Sequence, residues 1–172
     1  MKISDLLNKY GSDKAKYHSY GDFYDELFES LSHKVGQQPI DLLEIGVLGG
    51  ASCKAWKEYG CNVTGIDVVS EPDGLEGITY IKSDVKNVII RNQYDIIIDD
   101  GSHQIRDILY VIKKFPRFLR QHGVLVIEDV PISIKRKIAA RLLLPFGYKM
   151  RYVDLRDKKG HSDDFLIVIT KN

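Results

Sequence analysis

Apolar residues recur along this chain at two different spacings. Ile3, Leu6, Leu7 and Tyr10 fall at helical intervals, as do Phe23, Leu27 and Leu31. That predicts one helix within residues 1–10 and another over roughly 22–31. Farther on the period shortens. Compact apolar runs bounded by glycine, proline and carboxylates predict strands at Asp41–Val47, Cys61–Asp67, Ile78–Ile81 and Gly123–Asp129. The clearest run opens the stretch Tyr94–His103, Y-D-I-I-I-D-D-G-S-H. Its three isoleucines suit a strand buried on both faces of a parallel sheet.

Helical spacing fills the intervals. Helices are expected at Ala51–Tyr59, Gln104–Gln121, kinked at Pro116, and Ile132–Leu144. His33–Pro39 reads as a polar loop, and Val68–Gly77 as too broken for a full helix. Gly147–Leu155 and Phe165–Thr170 are β-rich runs joined by a charged turn and should pair antiparallel. The order predicts an α/β fold. It is a Rossmann-like doubly wound sheet, mostly parallel, with right-handed crossovers and a C-terminal antiparallel hairpin. A single domain over residues 1–172 is expected, with N-terminal helices in 1–34 and the core in 40–172.

Composition removes some alternatives. Of 172 residues, 44% are hydrophobic and 28% charged, ordinary for a soluble globular domain. The net charge of +1 points to neither nucleic acid nor an anionic membrane. No apolar run reaches spanning length, and Met1–Tyr10 is too short in its apolar part for a signal peptide. Cys53 and Cys61 form neither a disulfide framework nor a metal-knuckle spacing. They read as reduced packing residues of a cytoplasmic protein.

In an open α/β sheet, ligands bind beyond the carboxyl ends of the strands. There the first strand gives L-E-I-G-V-L-G-G-A-S, a glycine turn through Gly46, Gly49 and Gly50. Asp67 closes the second strand about 20 residues later, where a carboxylate accepts hydrogen bonds from ribose hydroxyls. Its plainer reading is a cap or turn residue. A dinucleotide cradle would need glycine where Leu48 stands. S-adenosylmethionine carries no phosphate and does not need that cradle. Glu44 would meet its ammonium, with an ion-paired strand residue as the alternative. Ser83 and Asp84, after the third strand, would meet the adenine edge, and Asp99 would touch cofactor or a helix. Asp13, Lys14, His18 and Tyr20 lie in an aromatic connector that is either a lid over a pocket or a solvated linker. Tyr20 is counted with the cofactor residues.

In these residues the chain resembles the class I S-adenosylmethionine-dependent methyltransferases. Four pieces narrow it: Gly11-Ser12-Asp13-Lys14 with His18 and Tyr20, then L-E-I-G, D-D-G-S-H and I-E-D. Together they resemble the sugar O-methyltransferases of the mycinamicin/macrocin type, whose better-known members carry an extra N-terminal region. The resemblance implies a magnesium ion held by carboxylates and a histidine general base. By motif match Asp100 and Asp129 would hold the metal and His103 would be the base. A further carboxylate ligand of that family has no assigned position here, and Glu128 reads as supporting or structural.

Physical chemistry runs the same way. Neighbouring parallel strands lie about 4.8 Å apart, so carboxylates at adjacent tips can share one cation. Oxygen ligands favour magnesium over zinc. The competing reading is helix capping by Asp100 or Ser102.

The acceptor would be a small molecule, a sugar or glycosylated metabolite, and a homo-oligomer is possible. Three other functions compete. A catechol-type methyltransferase commonly has an amide next to its second carboxylate, where this chain has Val130. A catalytically inactive binding module would keep only the cofactor pocket. A nicotinamide-dependent oxidoreductase is disfavoured by Leu48. Lys135, Arg136, Lys137, Arg141, Lys149 and Arg151 read as the solvated face of a helix packed through Ile134, Ile138, Leu142 and Leu143.

Overall fold

A computed structural model describes residues 1–35, 38–131 and 134–172. Among them one sheet of seven strands runs in the order β3-β2-β1-β4-β5-β7-β6. The strands are β1 (Asp41–Ile45), β2 (Asn62–Asp67), β3 (Thr79–Lys82), β4 (Tyr94–Asp99), β5 (Leu119–Ile127), β6 (Tyr148–Asp154) and β7 (Phe165–Lys171). The first five pair in parallel. β7 is antiparallel to both β5 and β6. The expected mixed α/β sheet with a reversed C-terminal pair is what the chain forms.

Strand alternation divides the core in two. On one face Leu42, Ile96, Ile98, Val124 and Val126 pack against α1 (Ile3–Tyr10), α3 (Gly21–Val35) and α4 (Ala51–Tyr59). On the other, Leu43, Ile97, Leu125 and Ile127 pack against α5 (Ile105–Lys114). A short helix, α2 (Asp13–Lys16), links α1 to α3, capped by the Ser12 side chain. The connector expected as a lid or a solvated linker is not a solvated linker. Lys14, His18, Ser19 and Tyr20 are buried against the sheet.

Several boundaries moved. The helix expected to reach Gln121 stops at Lys114, and a 3₁₀ turn at Pro116–Phe118 leads into β5. Proline lacks the N–H that the next turn needs, so it ends this helix where a kink was expected. The helix expected to end at Leu31 runs on to Val35, while Gly36 and Gln37 of the expected loop lie outside the described residues. Ile132 and Ser133 also lie outside, and the helix placed there begins at Ile134 as α6 (Ile134–Leu143). Its expected packing through Ile138 and Leu142 does not hold. They are 57% and 79% exposed. Leu143, of the same expected set, does pack against the core, together with Ala140. A last short helix, α7 (Arg156–Lys159), sits in the loop between β6 and β7.

Among the described residues no helix is long and apolar enough to cross a membrane. Both cysteines are free and buried. Burial, followed by repulsion from Asp95 and Asp41, pushes the Cys61 thiol up to about 12.

Candidate functional site

Adjacent strands β1, β4 and β5 point carboxylates at the same face of the sheet. Glu44 stands opposite Ile98, and Ile98 opposite Val126. Two residues on, Asp100 and Glu128 return to that face. One lysine answers all three. Lys14 Nζ lies 2.5 Å from Asp100 Oδ2, 2.6 Å from Glu128 Oε2 and 3.5 Å from Glu44 Oε1. Its side chain is 1% exposed. Burial alone would push this ammonium down. Asp100, Glu128 and Glu44 outweigh it and hold the lysine well above its ordinary value. Three carboxylates cannot be neutralised by one ammonium, and burial pushes Glu44 and Glu128 up. The Tyr24 hydroxyl donates to Glu128 Oε1.

Glu44 is therefore closed off from the surface. Its side chain is wholly buried, and its Oε2 accepts from Trp56 Nε1 and Cys53 Sγ, each at 3.0 Å. The expected contact with a cofactor ammonium is replaced by the ion-paired strand residue. An even position on β1 points to the N-terminal helices, away from the cleft.

Asp129 follows β5, held from behind. Its Oδ1 accepts the Tyr20 hydroxyl at 2.5 Å and lies 3.6 Å from His18 Nδ1. His18 in turn meets buried Asp164 at 2.5 Å. Tyr20 is thus bound to the acidic cluster, not placed along the cofactor cleft as expected. Burial raises the Asp129 carboxyl, although Tyr20 and His18 pull the other way. His103 closes the group. Its Nε2 is 3.8 Å from Asp100 Oδ1 and 3.8 Å from Asp129 Oδ2. One ligand atom from each of Asp100, His103 and Asp129 lies within 4.8 Å of the others. His103 and Asp129 both adopt left-handed backbone, at φ 53° and 51°. Non-glycine residues held there cluster at functional sites. Asp100 does not cap α5, whose N-cap residue is Gln104, with no side-chain cap bond.

A cleft of about 580 Å³ starts at this acidic corner and runs along the strand tips to Ser83 and Asp84. Gly46, Gly49, Asp67, Asp99, Asp100, His103 and Asp129 all line it. Asp67 Oδ2 accepts the amides of Val47 and Leu48 at 2.7 and 2.9 Å, and Oδ1 accepts those of Val68 and Val69. Burial raises this carboxyl, but the four amides prevail and lower it. Asp67 thus organises the glycine turn while still facing the cleft. Gly46 has a different task from ligand approach. At φ 84°, a methyl there would sit 2.0 Å from the Asp100 carbonyl oxygen, so glycine lets the two strand tips touch. Gly50 makes room for Leu75 and is not part of the lining, whereas a side chain on Gly49 would meet open space. Asp99, on the α5 face, is buried. Burial, then Asp100, pushes its carboxyl up to about 7.

Sequence reasoning gathered Asp100, His103 and Asp129 but missed Lys14 as an internal cation and Glu128 as its partner. Glu128 was findable. It alternates with Val126 and so shares the face of Glu44. Nothing local signals the burial of Lys14.

No protein-family model matches the chain. Across 149 residues it is 28% identical to the 8-demethyl-8-alpha-L-rhamnosyl tetracenomycin-C 2'-O-methyltransferase of Streptomyces olivaceus, covering 76% of this chain and 38% of the relative. The MycE methyltransferase of the mycinamycin biosynthetic pathway was solved with Mg, SAH and mycinamycin VI. It matches with a TM-score of 0.64 and 26% identity, over 75% of this chain and 39% of MycE. CalS10, an amino pentose methyltransferase from Micromonospora echinaspora solved with SAM, matches with a TM-score of 0.67 over 100% of this chain and 98% of its own. The chain has the fold of the class I S-adenosylmethionine-dependent methyltransferases. The CalS10 likeness, at 12% identity, is one of fold alone. The chain spans well under half the length of MycE and of the tetracenomycin relative.

Proposed function

We propose that residues 1–172 form one methyltransferase unit that moves a methyl group from S-adenosylmethionine to a hydroxyl of a sugar or glycosylated small molecule, with magnesium assistance. The observation that carries this reading is the shared cleft. Asp67 and the glycine turn line one part of it, and Asp100, His103 and Asp129 another. The similarity to the rhamnosyl 2'-O-methyltransferase and to MycE supports a sugar hydroxyl as acceptor.

At the cofactor end, Asp67 takes the ribose hydroxyls and Gly49 leaves room beside the turn. Leu48 and Val68, 80% and 62% exposed, give apolar surface along the cleft. Ser83 and Asp84 meet the adenine edge, and Asp99 stands against the same ligand. Asp13 also lines the cleft. With Glu44 buried, Asp13 is an exposed carboxylate there that could meet the cofactor ammonium.

At the acceptor end, the donor set fits a hard divalent cation. Two carboxylates and an imidazole converge, in a corner where burial already disfavours charge on Asp129. Asp100 and Asp129 would hold magnesium, which when bound supplies positive charge that acidifies a nearby hydroxyl. His103 Nε2 accepts the acceptor's proton. The acceptor oxygen then forms its bond to the sulfonium methyl as the carbon–sulfur bond breaks, releasing S-adenosylhomocysteine. Positioning two substrates in one cleft accounts for much of the rate.

Calorimetry with S-adenosylhomocysteine tests the first half of this reading. Binding should occur without metal and should be lost in Asp67→Ala. A chain that fails to bind the thioether is not a methyltransferase.

A further inference from the structure

Asp100 and Asp129, the two carboxylates at the acidic corner, are each gripped by one oxygen from behind. Asp100 accepts Lys14 Nζ through Oδ2 at 2.5 Å, while its Oδ1 stands 3.8 Å from His103 Nε2. Asp129 accepts the Tyr20 hydroxyl through Oδ1 at 2.5 Å, while its Oδ2 stands 3.8 Å from the same nitrogen. Both donors are buried residues of one segment, Lys14 in α2 and Tyr20 just ahead of α3. Neither can easily turn away. The Tyr20 ring is wholly buried and stacks on His18 at 5.0 Å between centroids, with the planes 7° apart. His18 is itself tied to Asp164. Lys14 is fixed on its far side by Glu128 and Glu44.

We propose that Lys14 and Tyr20 are positioning residues that leave Asp100 and Asp129 one oxygen apiece for a divalent cation, and thereby set a preference for magnesium over calcium. The proposal rests on the metal-assisted reading above. Its physical basis is coordination chemistry. Magnesium holds a tight octahedron, keeps several waters and uses one or two carboxylates. Calcium takes more oxygens at longer range and readily accepts both oxygens of one carboxylate. An oxygen already accepting from a buried donor has one lone pair in use and its orientation fixed, so drawing it into a chelate strains or weakens that hydrogen bond, which is costly. The grip from behind therefore penalises calcium more than magnesium.

Tyr20→Phe removes one oxygen atom and frees Oδ1 of Asp129. Magnesium and calcium affinities are measured by competition against Mn²⁺, followed by its electron paramagnetic resonance signal. The wild-type protein should favour magnesium, and Tyr20→Phe should raise the calcium-to-magnesium affinity ratio by roughly tenfold. A purely structural role would weaken both ions together, so a ratio that stays put in the folded variant overturns the proposal. A second measurement needs no variant. Infrared difference spectra of the wild-type protein with magnesium should show the wide carboxylate stretch splitting of one-oxygen binding, and the narrow splitting of chelation would overturn it. If Asp129→Asn leaves ion binding intact, the metal-assisted reading itself fails, a result distinct from an unmoved ratio.

Discussion

The ammonium of Lys14 lies 2.5 Å from Oδ2 of Asp100, 86 positions farther along the chain. This contact joins the N-terminal helices to the tip of β4 and fixes which oxygen of Asp100 faces the cleft. With Glu128 and Glu44 it forms a buried group whose members need one another. Taking away the ammonium that these three carboxylates share leaves buried charge uncompensated. Lys14→Met should therefore cost about 3–5 kcal/mol of folding free energy. Urea denaturation measures it, and a cost under about 1 kcal/mol would show that the ion group contributes little.

Glu44 gives a sharper contrast, because the ion-paired position and the cofactor position make opposite forecasts. Its carboxylate is spent on Lys14, Trp56 and Cys53. Glu44→Gln should lower stability by about 1–3 kcal/mol, since buried donors lose their charged partner. The affinity for S-adenosylhomocysteine, measured by calorimetry on the folded variant, should stay within about twofold, well under the tenfold that 1.4 kcal/mol represents. A tenfold loss of affinity at unchanged stability would return Glu44 to the cofactor.

Asp99 sets a pH dependence. Its carboxyl is pushed up to about 7 by burial and by Asp100. In the unfolded chain the value is near 3.9. The folded state therefore holds the proton more tightly, and this group costs stability as pH rises from about 4 to 7, levelling off above. Asp99→Asn mimics the protonated form. Its stability relative to the wild-type protein should grow from about pH 5 to pH 7.5, by up to a few kcal/mol, and then stop growing. Denaturation midpoints of both proteins across that range check it, and a difference that does not change with pH would contradict it.

How much of this was legible beforehand depends on the range of the interaction. The run Y-D-I-I-I-D-D-G-S-H carries its own evidence. Three isoleucines mark a doubly buried strand, and the polar residues after them have to lie at its carboxyl tip. The same local logic placed Asp67 and Asp129. It held only for Leu143 in α6, where helical spacing could not tell which apolar stripe meets the sheet. Ile138 and Leu142 face outward, and Ala140 and Leu143 inward. It failed for Lys14 because the partners of that lysine sit on three strands far along the chain. Tyr20 was noticed as unusual and counted with the cofactor residues, while its contact with Asp129, 109 positions away, went unseen for the same reason.

His103 stands equally far from Asp100 and Asp129 and faces the cleft. In the proposed reaction it takes a proton and binds no cofactor. His103→Ala should keep S-adenosylhomocysteine binding and lower kcat by about 10²–10⁴, the span of general-base catalysis. Turnover is read as S-adenosylhomocysteine released in the presence of a glycosylated acceptor. Undiminished turnover in the variant would remove the histidine from the mechanism.

The claim on which all of this depends is that the cation corner and the adenosine end belong to one cleft. Proton relaxation of bound S-adenosylhomocysteine in the presence of Mn²⁺ tests it directly, because paramagnetic broadening falls steeply with distance. Strong broadening of the thioether-side protons is expected in the wild-type protein, lost in Asp129→Asn with the ligand still bound. Unbroadened protons at saturating Mn²⁺, or broadening that survives Asp129→Asn, would contradict it.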